Sequence, residues 1–292
     1  MINTYIHNNK NINSILKFYF LSLIPLILYG IYKNGILLYQ KNVIGFLEIF
    51  KPLIFIIIPF VCHIIYNFLI KKKLSINFDT FSWVCLGLFV PPSLNVVLYL
   101  LMIIVGMFLD HFIGKKFNVR ILTKLIVMFI IYILGKYSYM NNLESVTKYA
   151  YSFLDILWGR SVGGVFSTSI IYTIICFTIL NFSKYYKNSI PLISILLIFL
   201  FDFIRLIFVK DINLVFLNIS GIMLAIILFG TELKYSPYTK KGMILYSIVL
   251  GTFTFIFSIF MPYEGVFLAI LILSILYKYF DKFIVSLNTT KK

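Results

Sequence analysis

Ile190–Val209 reads I-P-L-I-S-I-L-L-I-F-L-F-D-F-I-R-L-I-F-V. At 1.5 Å per residue this stretch is about 30 Å long as a helix, the thickness of a bilayer's hydrocarbon core. Only Asp202 and Arg205 interrupt it, and three-residue spacing places them on one helix face, where they can pair. A structural ion pair near a membrane edge and a proton or ion relay both fit, because ionisable groups within a membrane are costly to retain.

Nine further apolar runs flank this one: Phe18–Tyr32, Val43–Ile70, Phe78–Val90, Pro92–Phe112, Ile121–Leu134, Val162–Phe182, Leu214–Gly230, Met243–Met261 and Val266–Phe280. The whole chain of 292 residues is 61% hydrophobic and 12% charged, with mean hydropathy +0.99. Soluble domains average about 45–50% apolar and about 25% charged. The excess exceeds one buried core and fits a chain whose outer surface is also apolar. In lipid each backbone group must bond within the protein, so uninterrupted runs read as spanning helices. The expected fold is all-α: a single polytopic membrane domain over residues 1–292, with about ten transmembrane helices.

The formal charge of +16 does not indicate nucleic-acid binding, because the cations lie in short clusters between apolar runs. Such clusters set orientation and meet anionic lipid heads. With the N-terminus in the cytoplasm, Lys71-Lys72-Lys73, Lys115-Lys116, Lys240-Lys241 and Lys291-Lys292 all fall inside. The outside keeps only scattered Lys33, Lys41, Lys136, Lys148, Arg160, Arg205 and Lys210. This asymmetry predicts both termini in the cytoplasm, in segments 1–16 and 281–292, and an outward-facing loop at 136–160. Long loops in compact domains are often functional. The polar first fifteen residues show no cleavable signal peptide.

Cys62, Cys85 and Cys176 each lie in an apolar stretch without metal-ligand spacing, which predicts neither a disulfide framework nor a metal site. Asp110-His111 ends a span and reads as interfacial. Trp83, Trp158 and the tyrosines read as interface belts and packing. The sequence has no phosphate-cradling glycine motif, clustered histidines or hydrolase triad.

Two regions break the apolar pattern alike: Trp83–Pro92, ending in Pro91-Pro92, and Met223–Gly242, containing Thr231-Glu232 and Pro237. Proline cannot continue a helix. Broken helices at matching places in two halves mark an internal repeat and a central site. Helix N-termini freed there are expected to hold anions or line an ion path.

Phe229-Gly230-Thr231-Glu232-Leu233-Lys234-Tyr235-Ser236-Pro237-Tyr238-Thr239-Lys240-Lys241-Gly242 resembles the signature T-D-P-V-T-S-P-x-T-x-K-G of the RnfD/NqrB family. That family comprises the D subunit of the Rnf electron-transport complex and the B subunit of sodium-pumping NADH:quinone reductase. Pro262-Tyr263-Glu264-Gly265-Val266-Phe267-Leu268-Ala269-Ile270-Leu271 is similar to its Y-P-E-G-V-x-F-A-I-L, and Asp281-Lys282 to its Asp-Arg. Upstream, Leu88–Pro92 resembles L-x-L-P-P, Gly114–Val119 resembles G-x-N-x-F-N-P, and Gly163–Ser169 resembles G-S-I-G-E-T-S.

The resemblance implies ten helices in two related halves and a place in a larger complex of membrane and peripheral subunits in a bacterial cell (inner) membrane. It also implies electron transfer coupled to sodium or proton movement. FMN is implied on a threonine of an outward loop, with a second, non-covalent flavin such as riboflavin in some members. Thr147 in Asn141–Lys148 aligns with the FMN acceptor of D-x-x-S-G-A-T-P, but Asn141 replaces the Asp and Lys148 the Pro. Ser167 replaces a signature Glu, while Glu232 keeps the charge of a signature Asp. These departures identify a divergent member. Glu232, Glu264 and Asp202 are the candidates for handling ions or tuning charge. A transporter or membrane scaffold lacking covalent flavin is the alternative function.

Overall fold

A computed structural model describes residues 9–72, 76–92, 94–114, 120–135, 152–161, 163–183, 185–209, 219–232 and 235–289. Each of the ten apolar runs contributes a helix, in the expected order, and no strand occurs among the described residues. The first five are α1 (Ile15–Gln40), α2 (Phe46–Ile70), α3 (Phe78–Phe89), α4 (Val96–Phe112) and α5 (Arg120–Gly135). A short helix, Phe153–Trp158, precedes the second five. These are α6 (Ile170–Asn181), α7 (Ser189–Val209), α8 (Ile219–Gly230), α9 (Lys240–Phe260) and α10 (Gly265–Thr289).

By length and composition alone, Ile15–Gln40, Phe46–Ile70, Ser189–Phe208 and Lys240–Phe260 can each cross a bilayer. Their outward faces are apolar. Leu21, Ile24 and Leu28 line one side of α1, and Leu192, Leu196, Phe199 and Phe203 one side of α7, all exposed at helical spacing. Water would penalise such stripes, whereas lipid accepts them. The protein is an all-α polytopic membrane protein of two five-helix halves, in each of which the third helix is short.

Pro59 within α2 is accommodated by a side chain. Pro59 of α2 has no N–H to give the carbonyl of Phe55. The hydroxyl of Tyr99, on α4, donates to that carbonyl instead, at 3.1 Å. The same carbonyl lies against Gly87, where an added Cβ would come within 2.3 Å of it, so α2 and α3 touch backbone to backbone.

The structure shortens one expected helix. The run Val162–Phe182 forms a helix only from Ile170, where Ser169 caps α6 by accepting from Tyr172 N–H. The residues before it are not helical because their N–H groups bond elsewhere: Val165 to the carbonyl of Val90 at 2.9 Å, and Phe166 to that of Leu88 at 3.0 Å.

Candidate functional site

α3 begins at Asn77, whose side chain accepts from Thr80 N–H at 3.0 Å while the Thr80 hydroxyl accepts from Asn77 N–H at 3.2 Å. It tightens to a 3-10 turn over Gly87–Phe89 and becomes extended at Val90. Pro91 and Pro92 have no N–H to continue it. The freed carbonyls of Leu88 and Val90 are those bonded by Phe166 and Val165.

α8 ends in a π turn at Ile226–Gly230. There the carbonyl of Ile227 accepts from the hydroxyls of Thr231 (2.6 Å) and Tyr186 (3.1 Å). The last residues of the two short helices meet. Phe89 and Phe229 have ring centroids 6.0 Å apart, and Phe267 of α10 contacts both, at 5.1 and 6.0 Å. All three rings are buried.

The structure brings the C-terminal ends of α3 and α8, not helix N-termini, to these rings, and a helix C-terminal end carries partial negative charge. The N-termini that follow the breaks are capped by their own side chains: Asn95 accepts from Val97 N–H at 2.8 Å, and Thr239 from Gly242 N–H at 3.1 Å.

Glu232, two residues past α8, bridges the halves. The hydroxyl of Ser82 on α3 points to its carboxylate at 3.5 Å. Tyr19, Cys85 and Tyr246 lie within its electrostatic reach. Tyr19 is buried, and its hydroxyl has no hydrogen-bond partner among the described residues. Glu264 is buried in the turn between α9 and α10, where its carbonyl accepts from Phe267 and Leu268 N–H. Gly265 beside it packs so closely that a Cβ would lie 2.5 Å from Ser258 N, which explains the Glu-Gly pair of the motif. Asp202 is buried on α7, one residue from the Phe201–Phe255 contact with α9, and Arg205 lies half-buried one turn on. Among the described residues, no three His, Cys, Asp or Glu side chains gather at metal-binding distance. Thr147 lies outside the described residues.

Most of the signature after Glu232 is built as a clamp. The Asp281 carboxylate of α10 accepts from Tyr238 N–H at 3.0 Å, Thr239 N–H at 3.1 Å and the Thr239 hydroxyl at 2.6 Å. Partial burial pushes this carboxyl up, but those hydrogen bonds and the charge of Lys187 outweigh it and hold the group below its usual range. Lys187, in the α6–α7 loop, donates to the carbonyl and hydroxyl of Ser236, at 2.9 and 2.7 Å, and lies over the Tyr238 ring. Burial lowers its ammonium to about 8, against the opposing pull of Asp281.

Sequence reasoning missed two polar anchors. Lys124 of α5 is fully buried, pairs with Asp79 at 3.3 Å and lies over Trp83. Lys33, in a π turn of α1, donates to the Ser161 carbonyl at 2.6 Å and the Thr168 hydroxyl at 3.3 Å, and the amide of Asn34 donates to the Val165 carbonyl at 2.7 Å. Lys33 was counted among the outward cations, and only long-range partners reveal both lysines as internal. Asp110 accepts from the Thr123 hydroxyl at 3.0 Å, and His111 pairs with the Tyr66 hydroxyl at 3.2 Å.

A family model described as the NQR2, RnfD, RnfE family matches residues 123–289, more than half of the chain. The chain belongs to that family. No curated protein matches it. The matched region takes in all five helices of the second half, the Glu232 break and the Asp281 clamp. Membership makes this protein a membrane subunit of an Rnf- or Nqr-type multi-subunit complex. It also accords with the divergence visible around Thr147 and Ser167.

Proposed function

We propose that this subunit carries flavin-mediated electron transfer coupled to translocation of sodium or protons across a bacterial cell membrane, with both termini in the cytoplasm. The observation that carries the ion reading is the contact of two broken helices through the rings of Phe89, Phe229 and Phe267 at their C-terminal ends. Glu232, just past the end of α8, lies against Ser82, two turns back along α3. A cation there is favoured by the Glu232 carboxylate and the C-terminal end of α8, while three rings block free leakage. The Ser82 hydroxyl points to the Glu232 carboxylate, and Tyr19 lies within its electrostatic reach. Asp202 and Glu264, buried on other helices, are further places where charge is held within the span.

For flavin, the proposed attachment point is Thr147, with FMN joined through its phosphate. At the edge of that loop, Trp158 is half exposed and Arg160 is exposed, side chains suited to stacking on a flavin ring and meeting a phosphate. The flavin supplies the redox chemistry, and the protein supplies orientation and local charge. A second reading, a transporter or scaffold without covalent flavin, is favoured by Asn141 and Lys148 standing where the attachment motif has Asp and Pro.

Co-expression with a flavin transferase, followed by denaturing electrophoresis, separates the two. A fluorescent band that disappears in Thr147→Val supports the redox reading. A dark wild-type band, with no flavin released on denaturation, moves the assignment to the transporter or scaffold.

A further inference from the structure

A cavity of about 390 Å³ opens between α6 and α7, over the side of α8. This volume lies within the span of small-ligand pockets, roughly 300–1,000 Å³. Its wall is hydrocarbon apart from one methionine sulfur: Ile174, Phe177, Leu192, Ile195, Leu196 and Phe199 form its sides, with Met223 and Ile227 as its floor. It offers no hydrogen bond to a polar ligand, and water inside it would lack partners.

Ile174, Leu192, Leu196 and Phe199 are all exposed on the outer face of the bundle. Their helices are membrane-spanning, so the mouth is continuous with the lipid-facing surface and opens sideways into the bilayer. Met223 and Ile227, by contrast, are buried. The cavity is thus a lateral slot from lipid to the short helix α8.

We propose that this slot binds one acyl chain of a bilayer phospholipid, and that the chain packs directly on α8. The floor gives the binding consequence. Ile227 is the residue whose carbonyl is held by Tyr186 and Thr231, in the π turn that leads to Phe229 and Glu232. A tail lying on Ile227 supports that turn next to Tyr186, whose ring packs on Phe177 of the slot wall, where the helix otherwise has a void. Emptying a void of this kind costs the dispersion contacts of its lining. The tail therefore braces the broken helix and keeps its carbonyl end in place.

The test uses the full chain in nanodiscs containing a phospholipid with a diazirine on one acyl chain. After irradiation, labelled residues are mapped by mass spectrometry for the wild type, Ile195→Trp and Ile195→Ala. Ile195→Trp fills the slot and Ile195→Ala widens it. The expected result is lipid adducts on Met223 or Ile227 in the wild type and Ile195→Ala, lost in Ile195→Trp, while exposed Leu196 is labelled in all three. Adducts confined to exposed side chains in the wild type would overturn the proposal. So would labelling of Met223 that survives Ile195→Trp, or crosslinking to a second polypeptide in place of lipid. Labelling of Leu196 in every sample reports that a given variant is folded and inserted.

Discussion

Replacing Asp281 with Ala removes the acceptor of three hydrogen bonds, from Tyr238 N–H, Thr239 N–H and the Thr239 hydroxyl. Hydrogen bonds to a charged group contribute about 1.5–3 kcal/mol each, but three on one carboxylate are not additive, and this one is partly exposed. A loss of about 2–4 kcal/mol follows. For a domain of roughly 150–250 residues that corresponds to about 2–4 °C per kcal/mol. The expected drop in Tm is therefore on the order of 5–15 °C in detergent or nanodiscs. The pH dependence has a definite sign. The folded carboxyl lies below its ordinary value, so its contribution is present above the unfolded pKa of about 3.9 and is lost as pH falls through the folded value. Wild type and Asp281→Asn should therefore converge in stability at strongly acidic pH and differ above about pH 5. Thermal scans across pH measure both effects. An Asp281→Ala variant melting within about 1 °C of wild type at neutral pH would refute the clamp.

Lys187 has a linkage of the same sign, at higher pH. Its folded pKa of about 8 lies below the unfolded value of about 10.4, so the unfolded chain binds more protons between those limits and stability rises with pH there. Denaturant melts of Lys187→Met should lack that slope. Tyr99→Phe leaves the Phe55 carbonyl without the hydroxyl that replaces Pro59's missing N–H, and a loss of about 1–3 kcal/mol is expected by denaturant titration. Gly87→Ala drives a methyl into that same carbonyl and should lower Tm with a cost of about 1–3 kcal/mol from overpacking.

The lipid-embedded class was legible because it follows from composition and run length, properties a single helix already carries. The break in α3 was legible because two adjacent prolines remove the N–H groups that a helix needs. The polarity of the break was not. Which helix end faces the centre depends on how two distant segments pack, and Val165 and Phe166 meet α3 across about 75 residues of chain. Lys124 and Lys33 were unreadable for a related reason. A lysine next to an apolar run looks the same whether it snorkels to the surface or turns inward to Asp79 or Ser161. The signature around Glu232 was recognisable as a pattern, but its mechanics became visible only with Asp281, about forty residues later, at the end of three hydrogen bonds.

Ion uptake in proteoliposomes, driven by a reduced electron donor, tests the coupling at the helix breaks most directly. The complex would be assembled with either wild-type subunit or Glu232→Gln, and sodium and proton uptake followed together with electron transfer. The account predicts that Glu232→Gln keeps flavin and folding but loses most of the ion uptake per electron. Uptake per electron equal to wild type would contradict the placing of the cation path at Glu232 and the Phe89–Phe229 contact.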